Sequence, residues 1–153
     1  MSDKLSEFDE NTKKIEKELE EKSKEWNTRY QEVCKNIKGN IHKIPEIQSD
    51  ILSYMQMVTD EIRSNTLALK KLNTQLKKIK KQKFEFYSTT YQINIKNDNT
   101  KKSLTEYDLA KIQYRFDLIE THIDYLSQTL QNLDSLKFSV KNRLELLNIL
   151  GLD

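Results

Sequence analysis

Apolar residues at Met55, Val58, Ile62, Leu69, Leu72, Leu76, Ile79 and Phe86 step by three and four, with Asn65 and Lys83 completing the series. No other feature constrains the fold of this chain as strongly. A stripe kept at that spacing over more than four heptads specifies a long amphipathic helix with a coiled-coil seam. A second strict series passes through Leu109, Ile112, Phe116, Ile119, Ile123, Leu126, Leu130 and Leu133. Only 2 Gly and 1 Pro occur in 153 residues, so little interrupts either helix, and 33% charged against 36% hydrophobic residues suits long helices. The expected fold class is all-α: long amphipathic helices in an elongated helical-hairpin or coiled-coil arrangement. Each helix of this kind buries a narrow stripe, so a lone chain has a thin core and self-association is the natural remedy.

An N-terminal helix is predicted over residues 3–38, with Leu5, Phe8, Ile15, Leu19, Trp26, Val33 and Ile37 on one face and Thr12, Lys22 and Arg29 interrupting the seam. Gly39 is the expected left-handed stop. After a connector over 39–45, Pro45 suits the first turn of a helix reaching Tyr87, because its missing N–H costs nothing there. Two roles are open to Asn65 in the seam: setting register, or being one tolerated polar residue. Residues 88–102 break the pattern, and the alternation of Tyr91, Ile93 and Ile95 allows a short extended segment around 91–95. The capping-box pattern Ser103-Leu-Thr-Glu106 places the start of the next long helix, 103–135. The register shifts around Leu136–Phe138 and resumes at Val140, Leu144 and Leu147. The Leu-rich segment 136–152 is assigned to oligomer contacts.

Charge is distributed unevenly. The formal net charge is only +2, and residues 1–40 hold nine Lys or Arg against ten Asp or Glu. From Arg63 to Lys83, in contrast, eight cations (Arg63, Lys70, Lys71, Lys77, Lys78, Lys80, Lys81, Lys83) occur with no acid, followed by Phe84, Glu85, Phe86 and Tyr87. On a heptad wheel Arg63, Lys70 and Lys77 stack beside the apolar seam at about 10.5 Å intervals. An ordinary solvated face mixes signs, since pairs four apart support a helix and like charges repel. A uniform cationic face that ends in aromatics matches what single-stranded nucleic acid requires, cations for phosphates and rings for bases. Phe86 continues the seam and is expected in the core. Phe84 and Tyr87 are freer, either to meet a base or to pack under the following loop. Lys83 lies in the seam, where the helix pairing should open.

No catalytic or cofactor constellation is evident. Two glycines cannot build a phosphate loop, and His42, His122 and Cys34 lack metal-ligand spacing. His122, beside seam residue Ile123, reads as structural. No enzyme activity, cofactor or metal is expected. The single Cys34 suits a reducing compartment, and no apolar run approaches membrane-spanning length, so a soluble cytoplasmic protein without a membrane partner is expected. A lysine-rich helix also suits an anionic lipid surface, but the apolar face beside these lysines is taken by the seam.

Lys81-Gln-Lys83-Phe84-Glu85-Phe86-Tyr87, followed by a polar loop, resembles the basic-aromatic motif of the UvsY-like recombination mediators of phages. The segment Leu136-Lys-Phe138-Ser-Val140-Lys141-Asn142-Arg143-Leu144-Glu145 is similar to that family's closing motif. The likeness spans roughly 41–152 as a helical core, with motif 77–87, loop 88–102, long helix 103–135 and terminal segment 136–152. Residues 1–40 stand outside it as an N-terminal extension, which suits an extra coiled-coil layer, a docking arm or a helix folded back over the core. The resemblance implies a homo-oligomeric ring of six or seven subunits that binds single-stranded DNA. It further implies help in loading a RecA-like recombinase onto DNA covered by single-strand-binding protein, in a host cytoplasm if phage-encoded. Lys81 and Lys83 would be the principal DNA contacts, supported by Phe84, Phe86 and Tyr87. Lys77, Lys78 and Lys80 join that patch on charge alone. Phe138, Val140, Leu144 and Leu147 would lie in the oligomer interface. The alternative is a structural coiled-coil scaffold whose cations are simply solvated.

Overall fold

The computed structural model describes residues 2–39, 41–89 and 97–151. Three long helices carry the chain: α1 (Ser2–Ile37), α2 (Ile44–Thr89) and α3 (Asp98–Leu150), with one 3-10 turn at Ile41–Lys43 before α2. Among the described residues there is no strand, so the chain is all-α; the 91–95 segment lies outside those residues.

Local chemistry explains four of the six helix ends, and two of these differ from the sequence expectation. Pro45 falls in the first turn of α2 as predicted, next to Glu46, whose charge favours the helix N-terminus. The left-handed stop is at Gly151, φ 66°, where the N–H donates to the Asn148 carbonyl at 3.2 Å. Gly39 closes α1 without a positive φ, through its N–H to the Asn36 carbonyl at 3.1 Å. α3 starts five residues ahead of the Ser103 capping box. Asn97 takes the cap: its Oδ1 accepts the Asn99 N–H at 2.9 Å and its carbonyl accepts the Lys101 N–H at 3.1 Å. Ser103 then lies inside the helix, because an upstream cap with Asp98 in the first turn already satisfies the free amides.

The helices form two compact units, Met1–Ser64 with His122–Asp153 and Asn65–Thr121. The first contains all of α1 and parts of α2 and α3. Its core is built from Trp26 and Val33 of α1, Ile44, Ile47, Ile51 and Val58 of α2, and Leu126, Leu133, Val140 and Leu147 of α3. The N-terminal helix, for which the sequence leaves open an extra layer, a docking arm and a helix folded back over the core, contributes Trp26 and Val33 to this core. Trp26 is its centre: the indole N–H donates to Glu61 at 2.9 Å, Tyr54 meets the ring edge-on at 5.9 Å, and the Arg29 guanidinium lies 4.7 Å over it. These contacts satisfy the polar edge of a large ring that is otherwise buried.

α3 is unbroken through Leu136–Phe138. Ile119, Leu126, Leu133, Val140 and Leu147 are all buried at intervals of seven, so no register shift occurs. The shift seen in the sequence arises from Lys137, which occupies the half-buried column of Ile123, Leu130 and Leu144 and pairs with Asp134 at 2.9 Å. Arg143 donates to the Ile37 carbonyl at 2.6 Å, satisfying a free acceptor at the end of α1. The second unit, Asn65–Thr121, is an antiparallel α2–α3 pair burying Leu76, Tyr87, Leu109, Ile119 and Thr105.

Candidate nucleic-acid interface

All the sequence-predicted strand-binding residues lie near the C-terminal end of α2, inside the Asn65–Thr121 unit. That unit carries twelve Lys or Arg against six Asp or Glu, whereas the remaining residues carry fourteen against eighteen. The small net charge of the chain conceals this opposition, and the cationic potential belongs to one unit.

The helix divides the predicted residues among different faces. Lys77, Lys80, Lys81 and Phe84 stand at helical spacing and line one depression of about 450 Å³, together with the acid Glu85. Lys78 is exposed outside that lining. Phe84 and Phe86 are two residues apart, about 200° around an α-helix, and so cannot serve one stacking platform.

Exposure reverses the sequence expectation for the aromatics. Phe86, expected in the core, is 41% exposed, and Tyr87, expected to be freer, is 8% exposed. The phenol explains this. Tyr87 Oη donates to Asp108 Oδ2 of α3 at 2.5 Å, a bond available only if the ring turns toward the facing helix. Phe86 then meets the Tyr87 ring edge-on at 5.3 Å from the rim of the pair. Tyr87 thus braces the site from beneath and offers no open face to a base.

Lys83 is half-buried, with Nζ 3.8 Å from the same Asp108 carboxylate and 6.0 Å from the Phe86 ring centroid. Lys81 is exposed. The two motif lysines therefore differ: Lys81 offers its charge directly, and Lys83 shares its charge with Asp108. Lys101 was missed by sequence reasoning. Its side chain is 14% exposed, with Nζ 5.7 Å over the Phe84 ring and 3.6 Å from Asp98. Pairing the first turn of α3 with the end of α2 would have pointed to it, but Ser103 placed the helix start too late.

The predicted oligomer residues lie in the other unit. Val140 and Leu147 are buried in the chain's own core, and Leu144 packs against it. The apolar density that suggested an interface is largely consumed internally, by packing against α1 and α2. Phe138 alone of the four is exposed, at 55%, with Lys137 Nζ 5.5 Å from its ring.

His122 is buried in that same unit, where burial holds its pKa below the ordinary histidine value; Glu61 opposes the shift and Lys22 adds to it. Among the described residues no group of His, Cys, Asp and Glu could hold a metal ion, and no helix is long and apolar enough to cross a membrane. Comparison with protein-family models, curated proteins and solved structures gives no match to this chain.

Proposed function

We propose that the chain is a single-stranded DNA-binding recombination mediator that uses the Lys77–Lys80–Lys81–Phe84 face of α2 as its strand contact. The observation that carries strand binding is the coincidence on one face of three cations with a partly exposed ring, in the unit holding the cationic surplus. Phosphates would meet Lys77, Lys80 and Lys81, and a base would stack at Phe84. Lys83 and Lys101 sit beside that track, each with an acid partner to exchange for a phosphate. Lys78 stands beside it, and Phe86, about 200° around the helix from Phe84, lies outside it.

The mediator role rests on the resemblance of residues 81–87 and 136–145 to UvsY-like proteins. In that reading a homo-oligomeric ring multiplies a modest patch through effective concentration. Strand bent over the ring is partly freed from single-strand-binding protein, and a RecA-like recombinase nucleates there. No catalytic residue or nucleotide is needed.

Titration of oligo(dT) against salt tests strand binding. For Lys81→Ala/Lys83→Ala, the log–log salt slope should flatten by about 1.4, at roughly 0.7 for each phosphate of a single strand that is no longer neutralised. Salt-independent binding by the unaltered chain, or an unchanged slope in the double variant, would remove this reading. A structural scaffold is the second reading. It is favoured by the internal use of Val140, Leu144 and Leu147, whose burial serves the fold, and it predicts folded helices with no strand affinity at moderate salt.

A further inference from the structure

A second surface of the Asn65–Thr121 unit adjoins the proposed strand contact. A groove of about 650 Å³ runs between α2 and α3, and Lys77 and Lys80 line both this groove and the Phe84 depression. Its volume falls within the roughly 300–1,000 Å³ of small-ligand sites. Leu76 and Leu109 in the lining are buried and belong to the pairing of the two helices. The accessible part is aromatic and polar. Tyr114 of α3 is 47% exposed there. Glu106 and Asp117 also line the groove from α3, so cations stand on one helix and carboxylates on the other. Among the described residues none of these four charges enters an ion pair. Asp117 Oδ1 accepts a hydrogen bond from Gln113 Nε2 at 2.9 Å, and the carboxylate retains further acceptor capacity. Lys111 and Arg115 are also on α3 but outside this lining.

Carboxylates repel phosphates, so a strand does not lay its backbone along the α3 side. A nucleotide is itself polarised, with an anionic phosphate at one end and a base edge that can donate hydrogen bonds at the other. A backbone held on the α2 lysines directs a base across the groove toward α3. We infer, on the reading that this face binds single-stranded DNA, that the groove is a base-reading site selecting bases with an exocyclic amino group. The phosphate stays at Lys77 or Lys80, the base stacks on Tyr114, and the amino group donates to a carboxylate. Unstacked bases of a single strand present these edges to a protein. Glu106 and Asp117 are eleven residues apart, about 16.5 Å along α3, so they meet different nucleotides of one strand. Phe84, one heptad beyond Lys77, serves a further base. Cytosine offers its N4 amino group where uracil and thymine offer the O4 carbonyl oxygen. A carboxylate accepts from the first and repels the second. Selection thus comes as much from repelling the wrong base as from holding the right one.

Equilibrium binding of oligo(dC) and oligo(dU) of equal length tests it, read by fluorescence anisotropy at neutral pH. Uracil lacks the methyl group of thymine, so the two strands differ at the base edge alone. The unaltered chain should bind oligo(dC) about ten-fold more tightly. In Glu106→Gln/Asp117→Asn the two affinities should converge, with oligo(dC) falling and oligo(dU) rising, because an amide offers a donor as well as an acceptor. Tyr114→Ala should weaken both strands about ten-fold, the loss of one stacked base. Equal affinities in the unaltered chain overturn the inference and leave strand binding standing. A preference that survives in the amide variant overturns it too, as does equal loss of both strands there or an unchanged affinity in Tyr114→Ala. Binding of neither strand by the unaltered chain removes the strand-contact reading, and this inference with it.

Discussion

The two units of this chain are built from the same kind of helix but spend their residues differently. In the Met1–Ser64/His122–Asp153 unit, three helices converge on Trp26, and seam residues such as Ile51, Val58, Leu126 and Val140 are almost wholly buried. In Asn65–Thr121, two helices bury few side chains, and the most deeply buried is the threonine Thr105, whose hydroxyl donates to the Lys101 carbonyl at 2.8 Å. The first unit holds the acidic surplus and the second the basic one. Continuous apolar periodicity therefore does not imply uniform stability. One unit spends its residues on a buried core, and the other carries the cationic surplus.

The sharpest way to break that contrast is a pair of truncations read by thermal and chemical unfolding. Trp26→Ala should cost about 3–5 kcal/mol, the usual range for deleting a buried aromatic, and it also leaves Glu61 without its indole donor. Phe84→Ala, at a ring that is 38% exposed, should barely move the midpoint. Equal effects at the two sites would erase the distinction between the units.

A smaller effect concerns pH. Burial lowers the His122 pKa, with Glu61 of α2 and Lys22 of α1 as the charges facing it. Below about pH 6.5 the unfolded chain binds a proton at this site that the folded chain resists. Stability from neutral His122 is therefore fully present above that pH and falls as the pH drops toward the depressed folded value. Comparing urea midpoints of the unaltered chain and His122→Gln across pH 7 to 5 should show a shallower acid loss in the variant. Parallel curves would mean that His122 does not report on the core.

The smallest effect sharpens the other unit. Asp108 accepts the Tyr87 hydroxyl and lies near Lys83. Asp108→Asn keeps an acceptor for the phenol and frees the ammonium, so oligo(dT) affinity should rise a few-fold. A fall in affinity would show that positioning of Tyr87 outweighs the charge released.

Periodicity alone disclosed the three helices, both seams and the contribution of Pro45, because an apolar stripe at helical spacing has one low-energy solution. It failed where a single residue carried two signals. Lys137 in the seam imitated a register shift, since the alkyl stem of lysine packs while its charge reads as surface. Ser103 offered a good cap, but Asn97 offered an earlier one, and a helix extends to the first cap that satisfies its amides. Tyr87 and Phe86 exchanged places because a phenol seeks a partner that only the facing helix supplies. Val140 and Leu147 looked available for other chains because sequence does not reveal that α1 folds against them. The charge of the candidate interface was legible from the start. Its division into faces, and the presence of Lys101, were not, because both depend on how α2 and α3 are aligned.

The Arg143–Ile37 bond joins residues 106 positions apart, and the unit containing it is interrupted in sequence by all of Asn65–Thr121. That arrangement has a consequence for synthesis. The interrupting unit is contiguous, so all of its residues are made once Thr121 has left the ribosome. The core around Trp26 must wait for Leu126, Leu133 and Val140, which are made after that unit. Until then α1 and the first half of α2 expose their apolar faces to the cell. Domains usually fold in the order of their synthesis, the earliest first; here the unit begun first is completed after the one it encloses.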